Sequence, residues 1–170
     1  MRLLIAFGGK MGSGKDTAAE YLCDKCTGVI HSFAAPLYDI LKYAQWVCDF
    51  EEKKDRAFLQ FVGTEWARDR DPDVWVNIAL KDTPDNGNVF LSDIRFKNEL
   101  MALKKDGWVC VRIERESQSQ RKGTGTVDHT SETELDSISG EEWDHVIQND
   151  GDLSQFYHKL DKMIATIKCK

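Results

Sequence analysis

A glycine-rich segment near the start of the chain has the residue types and spacing needed to hold a phosphate chain. Residues 9–16 read Gly-Lys-Met-Gly-Ser-Gly-Lys-Asp and match the P-loop pattern G-x-x-x-x-G-K-[ST] at all but the last position. Glycines let successive backbone N–H groups turn toward a phosphate, and Lys15 adds a charge that reaches the terminal phosphates. Asp16 stands where Ser or Thr normally holds magnesium. The segment predicts a phosphate site with an altered metal ligand.

A carboxylate closes a later apolar run. Residues 89–92 read Val-Phe-Leu-Ser, and Asp93 follows them. In P-loop enzymes a carboxylate at the end of such a strand faces Mg²⁺ or its waters. The alternative is that Asp93 is the N-cap of the next helix. Its place downstream of a P-loop favours the metal role.

Arg95 brings a cation to the same predicted sheet edge. It either clamps a second phosphate or pairs with Asp93 or Glu99, and we favour the phosphate because the neighbouring P-loop already binds anions. Arg112 and Glu114 are two residues apart on a later strand, so they are predicted to share one face of the sheet.

The polar segment 115–127 carries three cations, Arg115, Arg121 and Lys122. Beside a phosphate site, such a loop predicts a lid whose cations stabilise the transferring phosphoryl group and exclude water. A solvated linker is the alternative. Ser131 and Glu134 then form a capping box. We assign no proton transfer to His129, because a phosphate nucleophile is already ionised at neutral pH.

The elements that must position these residues alternate between short apolar runs and longer helical patterns. This alternation is typical of a parallel sheet with helices on both faces. Residues 36–81 insert several helices between the second and third strands, and such an insertion commonly builds a second ligand pocket. Its candidates are Trp66, Arg68, Arg70 and Trp75, with core rings and solvated charges as the alternative. The predicted strands are 2–7, 29–33, 89–92, 108–113 and 145–148, and the predicted helices are 15–26, 36–50, 54–70, 72–81, 96–105 and 153–167.

Length and composition predict one globular domain. The chain has 170 residues, of which 41% are hydrophobic and 31% charged, enough for one substantial core. No apolar run approaches the roughly 20 residues that span a bilayer, and the first strand begins at once, which predicts no signal peptide and no membrane partner. The net charge of −6 argues against a nucleic-acid partner.

The five cysteines are an odd number, which favours reduced thiols and a cytoplasmic location. Cys23-x-x-Cys26 with His31 nearby is a candidate zinc site, but no second ligand pair follows at finger spacing. We favour the interpretation that Cys23 and Cys26 are structural thiols in the last turn of a helix.

Taken together, these segments resemble the deoxynucleoside monophosphate kinases of bacteriophages, a branch of the P-loop nucleotide kinases. In that family Asp followed by Thr is the usual ending of the phosphate loop. The similarity covers most of the chain: Gly14-Lys15-Asp16-Thr17, Phe33-Ala34-Ala35-Pro36-Leu37, Leu59-Gln60-x-x-Gly63-Thr64-Glu65, Asp71-Pro72-Asp73-x-Trp75-Val76, Ser92-Asp93-Ile94-Arg95-Phe96-x-Asn98-Glu99, His129-x-Ser131-Glu132 and Asn149-Asp150-Gly151.

The resemblance implies a three-layer α/β fold with a five-stranded parallel sheet, helices on both faces, a helical acceptor-binding insertion and a short lid. It implies one domain with its core at 1–35 and 86–170, the insertion at about 36–82 and the lid at about 115–130. It also implies ATP as phosphoryl donor, Mg²⁺ as cofactor and a nucleoside monophosphate as acceptor. It leaves a homodimer open, and it places a phage-encoded chain in the host cytoplasm.

The resemblance further assigns roles to individual residues. It implies that ATP is held by Gly12, Ser13, Gly14, Lys15, Asp16, Thr17, Arg115 and Lys122. The implied acceptor site comprises Phe33, Ala34, Leu37, Trp66, Arg68, Trp75, Asp93, Arg95 and Glu99. Asp16, Thr17 and Asp93 are the implied Mg²⁺ ligands, partly through water, and Lys15, Arg95, Arg115 and Arg121 are the implied catalytic residues.

Four other functions are compatible with a phosphate loop of this kind. A kinase for a non-nucleotide phosphate such as phosphomevalonate would use the same loop, but the aromatic rings of the insertion favour a planar base. Dephospho-coenzyme A kinase is disfavoured by the segments around Gly63 and Asp93. A GTP-binding switch predicts an Asn-Lys-x-Asp segment, which the sequence lacks. A non-catalytic nucleotide sensor would not need the cations of the lid.

Overall fold

Five parallel strands form a single sheet in the spatial order β2-β3-β1-β4-β5. The computed structural model describes residues 2–115 and 134–169. The strands are β1 (Leu4–Gly8), β2 (Gly28–His31), β3 (Asn88–Ile94), β4 (Val109–Glu114) and β5 (His145–Gln148). The sheet confirms the predicted α/β class, and it puts the strand that precedes the P-loop at its centre.

Helices cover both faces of this sheet. They are α1 (Lys15–Cys26), α2 (Ala35–Val47), α3 (Arg56–Gln60), α4 (Val74–Asp82), α5 (Lys97–Lys105) and α6 (Leu153–Lys168), with a π-helical segment at Phe61–Trp66 after α3 and short 3₁₀ turns at Glu134–Ser137 and Gly140–Glu142.

The core divides into two layers because successive strand residues point to opposite faces. In β1, Ile5 and Phe7 pack with α1 and α6, whereas Ala6 belongs to the layer that contains Trp75 and Leu100. The near-continuous apolar runs in the sequence are therefore explained by burial on both sides.

Several predicted boundaries shift for local reasons. The predicted helix 36–50 ends at Val47, because Asp49 adopts a left-handed φ of 53°. The predicted helix 54–70 begins later, because the Asp55 side chain caps α3 by accepting from the Phe58 N–H at 3.0 Å. Strand β3 continues to Ile94, so that Asp93 lies within the strand rather than after it.

Candidate active site

The P-loop turns sharply where its glycines are required. Gly9, Gly12 and Gly14 have φ values of 146°, 77° and 108°, which side chains other than hydrogen rarely tolerate. A Cβ at Gly14 would lie 2.6 Å from the Asn149 Nδ2, and one at Gly9 would lie 2.3 Å from the Ile113 carbonyl oxygen. The loop is therefore pressed against β4 and the segment after β5.

Helix α1 begins at Lys15, immediately after this loop. The N–H groups of a first helical turn have no partner within the helix and carry partial positive charge, so they suit an anion. A cleft of about 280 Å³ opens at this helix end. It is lined by Gly12, Gly14, Lys15, Asp16, Thr17, Arg115, Asn149, Gly151, Leu153 and Phe156. The cleft thus joins most of the predicted ATP-binding residues to the segment that follows β5.

Asn149 holds the P-loop to that segment. Its side-chain amide donates to the Ser13 carbonyl oxygen at 2.8 Å, and its backbone N–H donates to the Glu114 carbonyl oxygen at 2.7 Å. The side chain is buried. Asn149 was not among the predicted site residues. The signal that could have found it is its position after the last strand, where parallel sheets place their ligand sites.

Lys15 lies folded over the P-loop. Its Nζ donates to the Lys10 carbonyl oxygen at 2.8 Å. Lys10 in turn forms an ion pair of 3.1 Å with Asp136, in the first 3₁₀ turn. The ammonium group of Lys15 is thereby kept at the mouth of the loop.

Asp16 is joined to the end of β3 by a hydrogen bond. Its Oδ1 accepts from the Ser92 hydroxyl at 2.7 Å, across the boundary between α1 and β3. Ser92 was not predicted as a site residue, because a hydroxyl before a strand-end carboxylate carries no recognised pattern of its own. This bond connects the P-loop with the residue next to Asp93.

The oxygens at this position fit Mg²⁺. Asp16 supplies a carboxylate, and Thr17 and Ser92 are hydroxyl-bearing neighbours. Within residues 2–115 and 134–169, no group of three or more His, Cys, Asp or Glu side chains forms a metal cage. Mg²⁺ commonly binds to one or two protein carboxylates together with substrate phosphates and waters. The candidate ligands are thus a few hard oxygen atoms that lie next to the phosphate loop.

Asp93 is engaged with the segment between β2 and α2. Its Oδ2 accepts from the Ser32 hydroxyl at 2.6 Å and from the Ala34 N–H at 2.9 Å, and its Oδ1 accepts from the Phe33 N–H at 3.1 Å. We call residues 32–34 the acceptor loop, after the role predicted for Phe33 and Ala34 from the sequence. Asp93 therefore orders two of the predicted acceptor residues, and its contact with Mg²⁺ stays a prediction.

Arg68, which follows the π-helical segment, and Glu99, in the first turn of α5, form a buried ion pair. The Arg68 Nη2 donates to the Glu99 Oε1, and the Arg68 guanidinium lies 3.8 Å from the Phe96 ring centroid. The Glu99 Oε2 accepts from the N–H groups of Arg95 and Phe96 at 2.7 and 3.0 Å. Glu99 caps α5 in this way and fixes the backbone at Arg95.

Burial raises the pKa of Glu99 to about 7 from its ordinary value of 4.5, with Arg68 and the two backbone N–H groups offsetting only part of the rise. A raised carboxyl pKa favours the folded chain at low pH. Its contribution is full below about pH 4.5 and is lost as the pH rises through about 7.

We predict that Glu99→Gln removes this pH dependence. The free energy of unfolding of the wild type, relative to that of the variant, should fall by up to about 3 kcal/mol between about pH 5 and pH 8. Denaturant unfolding at several pH values measures it, with the exposed Glu141→Gln as a control that should follow the wild type. If the free energy of unfolding depended on pH in the same way for the wild type and for Glu99→Gln, the raised pKa of Glu99 would be contradicted.

Two other predicted acceptor residues pack within the insertion. Trp75 is buried and donates from Nε1 to the Gly63 carbonyl oxygen at 2.8 Å. A Cβ at Gly63 would lie 3.1 Å from the Leu37 Cδ1, so Leu37 packs against the same backbone. Trp75 and Leu37 thus pack against the π-helical segment, and their contact with an acceptor stays a prediction. Trp66, by contrast, is exposed, and the Arg70 guanidinium lies 4.8 Å from its ring centroid.

Of the predicted lid, the structure describes Arg115, which lies at the cleft. Arg121, Lys122, His129 and Ser131 lie outside the described residues. Arg112 and Glu114 share a face, as predicted, and form an ion pair of 2.8 Å. Arg112 also donates to the carbonyl oxygens of Leu135 and Ile138 at 3.2 and 2.9 Å, which ties β4 to residues 135–138.

The cysteine motif closes a helix. The Cys23 thiol donates to the Gly28 carbonyl oxygen at 3.0 Å, and all five cysteines are free thiols. This contact agrees with the structural interpretation of Cys23 and Cys26. No helix within the described part of the chain is long and apolar enough to cross a bilayer.

Comparisons with known proteins give the family. No family model matches the chain. A protein of Acanthamoeba polyphaga mimivirus, provisionally named a deoxynucleotide monophosphate kinase, is 30% identical over 190 residues, which cover 93% of this chain and 94% of that protein. The uncharacterized protein ORF77 of Ictalurid herpesvirus 1 (strain Auburn) is 36% identical over 138 residues; the match covers 78% of this chain and 58% of that longer protein.

Solved structures share the fold at low sequence identity. A gluconokinase from Sinorhizobium meliloti 1021 has a TM-score of 0.59 at 15% identity, over 98% of this chain and 95% of its own. A sugar kinase from Janibacter sp. HTCC2649 has a TM-score of 0.51 at 12% identity, over 94% and 92%.

A parallel sheet whose central strand leads into a P-loop, with hard oxygen donors beside that loop, is the arrangement of a P-loop nucleotide-binding protein. Because the mimivirus relative matches nearly the whole chain, the protein belongs to the deoxynucleoside monophosphate kinase family.

Proposed function

We propose that the protein transfers the γ-phosphoryl group of ATP to a deoxynucleoside monophosphate, producing the deoxynucleoside diphosphate and ADP. The reaction is Mg²⁺-dependent and takes place in the cytoplasm, that of the host cell if the chain is phage-encoded. The name of the mimivirus relative supports this acceptor.

One observation carries the proposal, namely the hydrogen-bonded chain that runs from the P-loop to the acceptor loop. Asp16 accepts from Ser92, and the next residue, Asp93, binds three donors of residues 32–34. Asp16 at the start of α1 is therefore linked through Ser92 and Asp93 to the acceptor loop, which precedes the helical insertion. Phosphoryl transfer needs two phosphate groups held side by side and in line.

On the donor side, the N–H groups of Gly12 to Thr17 hold the ATP phosphates, and Lys15 neutralises the charge of the terminal phosphates. Arg115 lies at the same cleft and extends this positive field. When bound, Mg²⁺ would supply a Lewis acid that neutralises negative charge on the phosphates. Asp16 and Thr17 are the residues that would hold it, directly or through water.

On the acceptor side, the loop at Phe33 and Ala34 and the insertion at 36–82 hold the monophosphate. Arg95 contacts its phosphate, and its backbone is already held by Glu99. The exposed ring of Trp66, backed by Arg70, offers a flat apolar surface for a base. We propose the lid role for residues 115–130, with Arg121 and Lys122 as its cations.

The chemistry needs no general base. At neutral pH the acceptor phosphate is already an anionic nucleophile, so catalysis consists of alignment and charge stabilisation. Lys15, Arg95, Arg115 and Arg121 supply that charge, and His129 takes no proton.

The test is a coupled ADP-release assay with ATP, Mg²⁺ and a panel of acceptors. The panel contains deoxy- and ribonucleoside monophosphates, phosphomevalonate and gluconate, the last because gluconokinases share the fold. We expect at least one deoxynucleoside monophosphate to exceed the best non-nucleotide acceptor by about 100-fold in kcat/KM, since a kinase pocket is built around one acceptor class.

If ADP were released with gluconate or phosphomevalonate but with none of the nucleoside monophosphates, the proposed acceptor would be wrong. Omitting the acceptor controls for hydrolysis of ATP by water, and replacing Mg²⁺ by excess chelator should stop the reaction.

A further inference from the structure

The peptide group between Ser13 and Gly14 is held by a side chain from the far end of the sequence. The Asn149 Nδ2 donates to the Ser13 carbonyl oxygen at 2.8 Å. Asn149 is 7% exposed, and its backbone N–H donates to the Glu114 carbonyl oxygen at 2.7 Å. The donor is therefore a buried amide whose position is set by the end of β4.

This hydrogen bond determines which way the Gly14 N–H points. A trans peptide group is planar, and its C=O and N–H bonds point in opposite directions. Because the Ser13 carbonyl is directed at Asn149, the Gly14 N–H is directed away from it. Gly14 lines the cleft and is the N-cap of α1. Its N–H therefore belongs to the donors that an anion meets at this helix end.

The backbone of Gly14 does not by itself keep the peptide group in this orientation. Gly14 has a φ of 108°, and glycine adopts positive and negative φ with similar ease. A rotation of the 13–14 peptide group by about half a turn therefore meets little steric resistance at Gly14. It would place the Ser13 carbonyl oxygen where the N–H now lies, and the negative end of that dipole repels a phosphate. The freedom that lets the loop curve thus also permits an orientation that is unsuited to ATP.

The surroundings of the peptide group make the Asn149 amide hard to replace. Ser13 is 1% exposed, so water does not readily take over as the donor to its carbonyl oxygen. A Cβ at Gly14 would lie 2.6 Å from the Asn149 Nδ2 and 3.4 Å from the Phe156 Cε1, which shows how closely the loop packs against both side chains. A buried carbonyl that loses its donor is destabilised more than an exposed one.

We propose that Asn149 is a positioning residue for ATP, which acts through the Ser13 carbonyl to keep the Gly14 N–H directed at the nucleotide phosphates. Its effect is exerted through the P-loop and not through a contact of its own with the nucleotide. The inference rests on the proposed function in one respect, namely that ATP is the ligand of the P-loop. It does not depend on which acceptor is phosphorylated.

Binding of ATP with Mg²⁺ to the full chain, measured by calorimetry without an acceptor, tests this. Asn149→Leu removes the donor at similar size, and Asn149→Asp keeps the shape but replaces the donor by an acceptor. Both should raise the Kd of ATP by about 100-fold, because a hydrogen bond to a charged group is lost and a carbonyl dipole faces the phosphate instead. In steady-state kinetics the KM for ATP should rise, and the KM for the acceptor should stay within about threefold of the wild type.

Asn88→Leu is the matched control. The Asn88 Nδ2 also donates to a backbone carbonyl oxygen, that of Cys26 at 2.6 Å. Asn88 begins β3, however, and lies at the opposite end of the sheet from the P-loop. This variant should unfold at a lower temperature and bind ATP within about threefold of the wild type. Thermal unfolding of each variant defines the range in which it is folded, and ATP binding is compared within that range.

A measurement on the wild type reports on the Gly14 N–H whether or not the variants fold. The pair Ser-Gly occurs twice in the sequence, at 13–14 and 139–140. Labelling of the serine carbonyl carbon and the glycine nitrogen therefore leaves two amide signals in a carbonyl-edited NMR spectrum, and Ser139→Ala assigns them. Saturating ATP with Mg²⁺ should move the Gly14 amide proton downfield, as a hydrogen bond to a phosphate does, and leave that of Gly140 in place.

Wild-type affinity for ATP in both Asn149 variants would overturn the inference. Weakening by Asn149→Asp alone would do the same, since it would show an effect of charge and not of orientation. Equal weakening by Asn88→Leu, or a Gly14 signal that ATP does not move, would also overturn it. A wild type that binds no ATP would instead contradict the proposed function itself, and with it this inference.

Discussion

Replacing Lys15 by Met should lower kcat by about 1,000-fold or more while the chain stays folded. Lys15 is the cation of the P-loop, and its Nζ already lies at the loop's mouth, 2.8 Å from the Lys10 carbonyl oxygen. Removing a charge that stabilises the transition state typically costs about 4 kcal/mol, which corresponds to this factor. Methionine keeps the length of the side chain, so the packing of α1 is preserved. Steady-state kinetics with saturating ATP and acceptor measure the loss.

Lys10→Met is the control for that experiment. It makes the same substitution in the same loop, but the Lys10 side chain is directed to Asp136 at 3.1 Å and is largely exposed. Exposed ion pairs contribute little, so kcat should change by no more than about threefold. A Lys15→Met enzyme with activity similar to that of Lys10→Met would contradict the role given to Lys15.

Replacing Asp93 by Ala should raise the KM for the acceptor by about 100-fold and leave the KM for ATP nearly unchanged. The carboxylate accepts three hydrogen bonds from the acceptor loop. Its loss leaves two backbone N–H groups without this partner and releases Phe33 and Ala34 from their positions. Hydrogen bonds to a charged group are worth about 1.5–3 kcal/mol each, which is sufficient for the expected change.

Asp16→Asn is the matched variant on the donor side. Since Asp16 lies beside the phosphate loop and accepts from Ser92, its change should raise the Mg²⁺ concentration needed for half-maximal activity and spare the KM of the acceptor. Titration of Mg²⁺ for both variants separates the two roles. A shift in the Mg²⁺ requirement with Asp93→Ala, at unchanged acceptor KM, would mean that Asp93 is a metal ligand, as its place near a strand end predicts.

Much of the fold could be predicted because it depends on short-range patterns. The apolar runs of β1, β3 and β4 are buried on both faces, and the helices between them carry their own periodicity. The P-loop could be recognised because its glycines obey a local steric requirement. Five strands in parallel follow from that alternation.

The details that were not predicted depend on partners far away in sequence. The Asn149 amide meets the Ser13 carbonyl across 136 residues, and the Ser92 hydroxyl meets Asp16 across 76. A pattern read along the chain contains no information about such pairs. Helix α2 also ends at Val47 rather than at the predicted residue 50. The reason is that Asp49 adopts a left-handed conformation, which is usually found for glycine or asparagine at a helix end.

The acceptor side shows why residue types alone assign roles poorly. Trp66 and Trp75 are the same residue type, and both were candidates for the acceptor site. Trp75, however, is buried and donates from Nε1 to the Gly63 carbonyl oxygen, whereas Trp66 is exposed. Trp66 is the last residue of the π-helical segment, whereas Trp75 lies in α4, and local propensity does not predict where a π-helical segment forms. The pairing of Arg68 with Glu99 depends likewise on how α5 docks against the insertion.

Transfer of label from [γ-³²P]ATP tests the central claim most directly. The wild-type enzyme is incubated with Mg²⁺ and a mixture of deoxynucleoside monophosphates, and the products are separated. We expect label in a deoxynucleoside diphosphate, formed in equal amount with ADP and absent with Lys15→Met. Label that appears solely as inorganic phosphate, or in an added non-nucleotide acceptor, would contradict it.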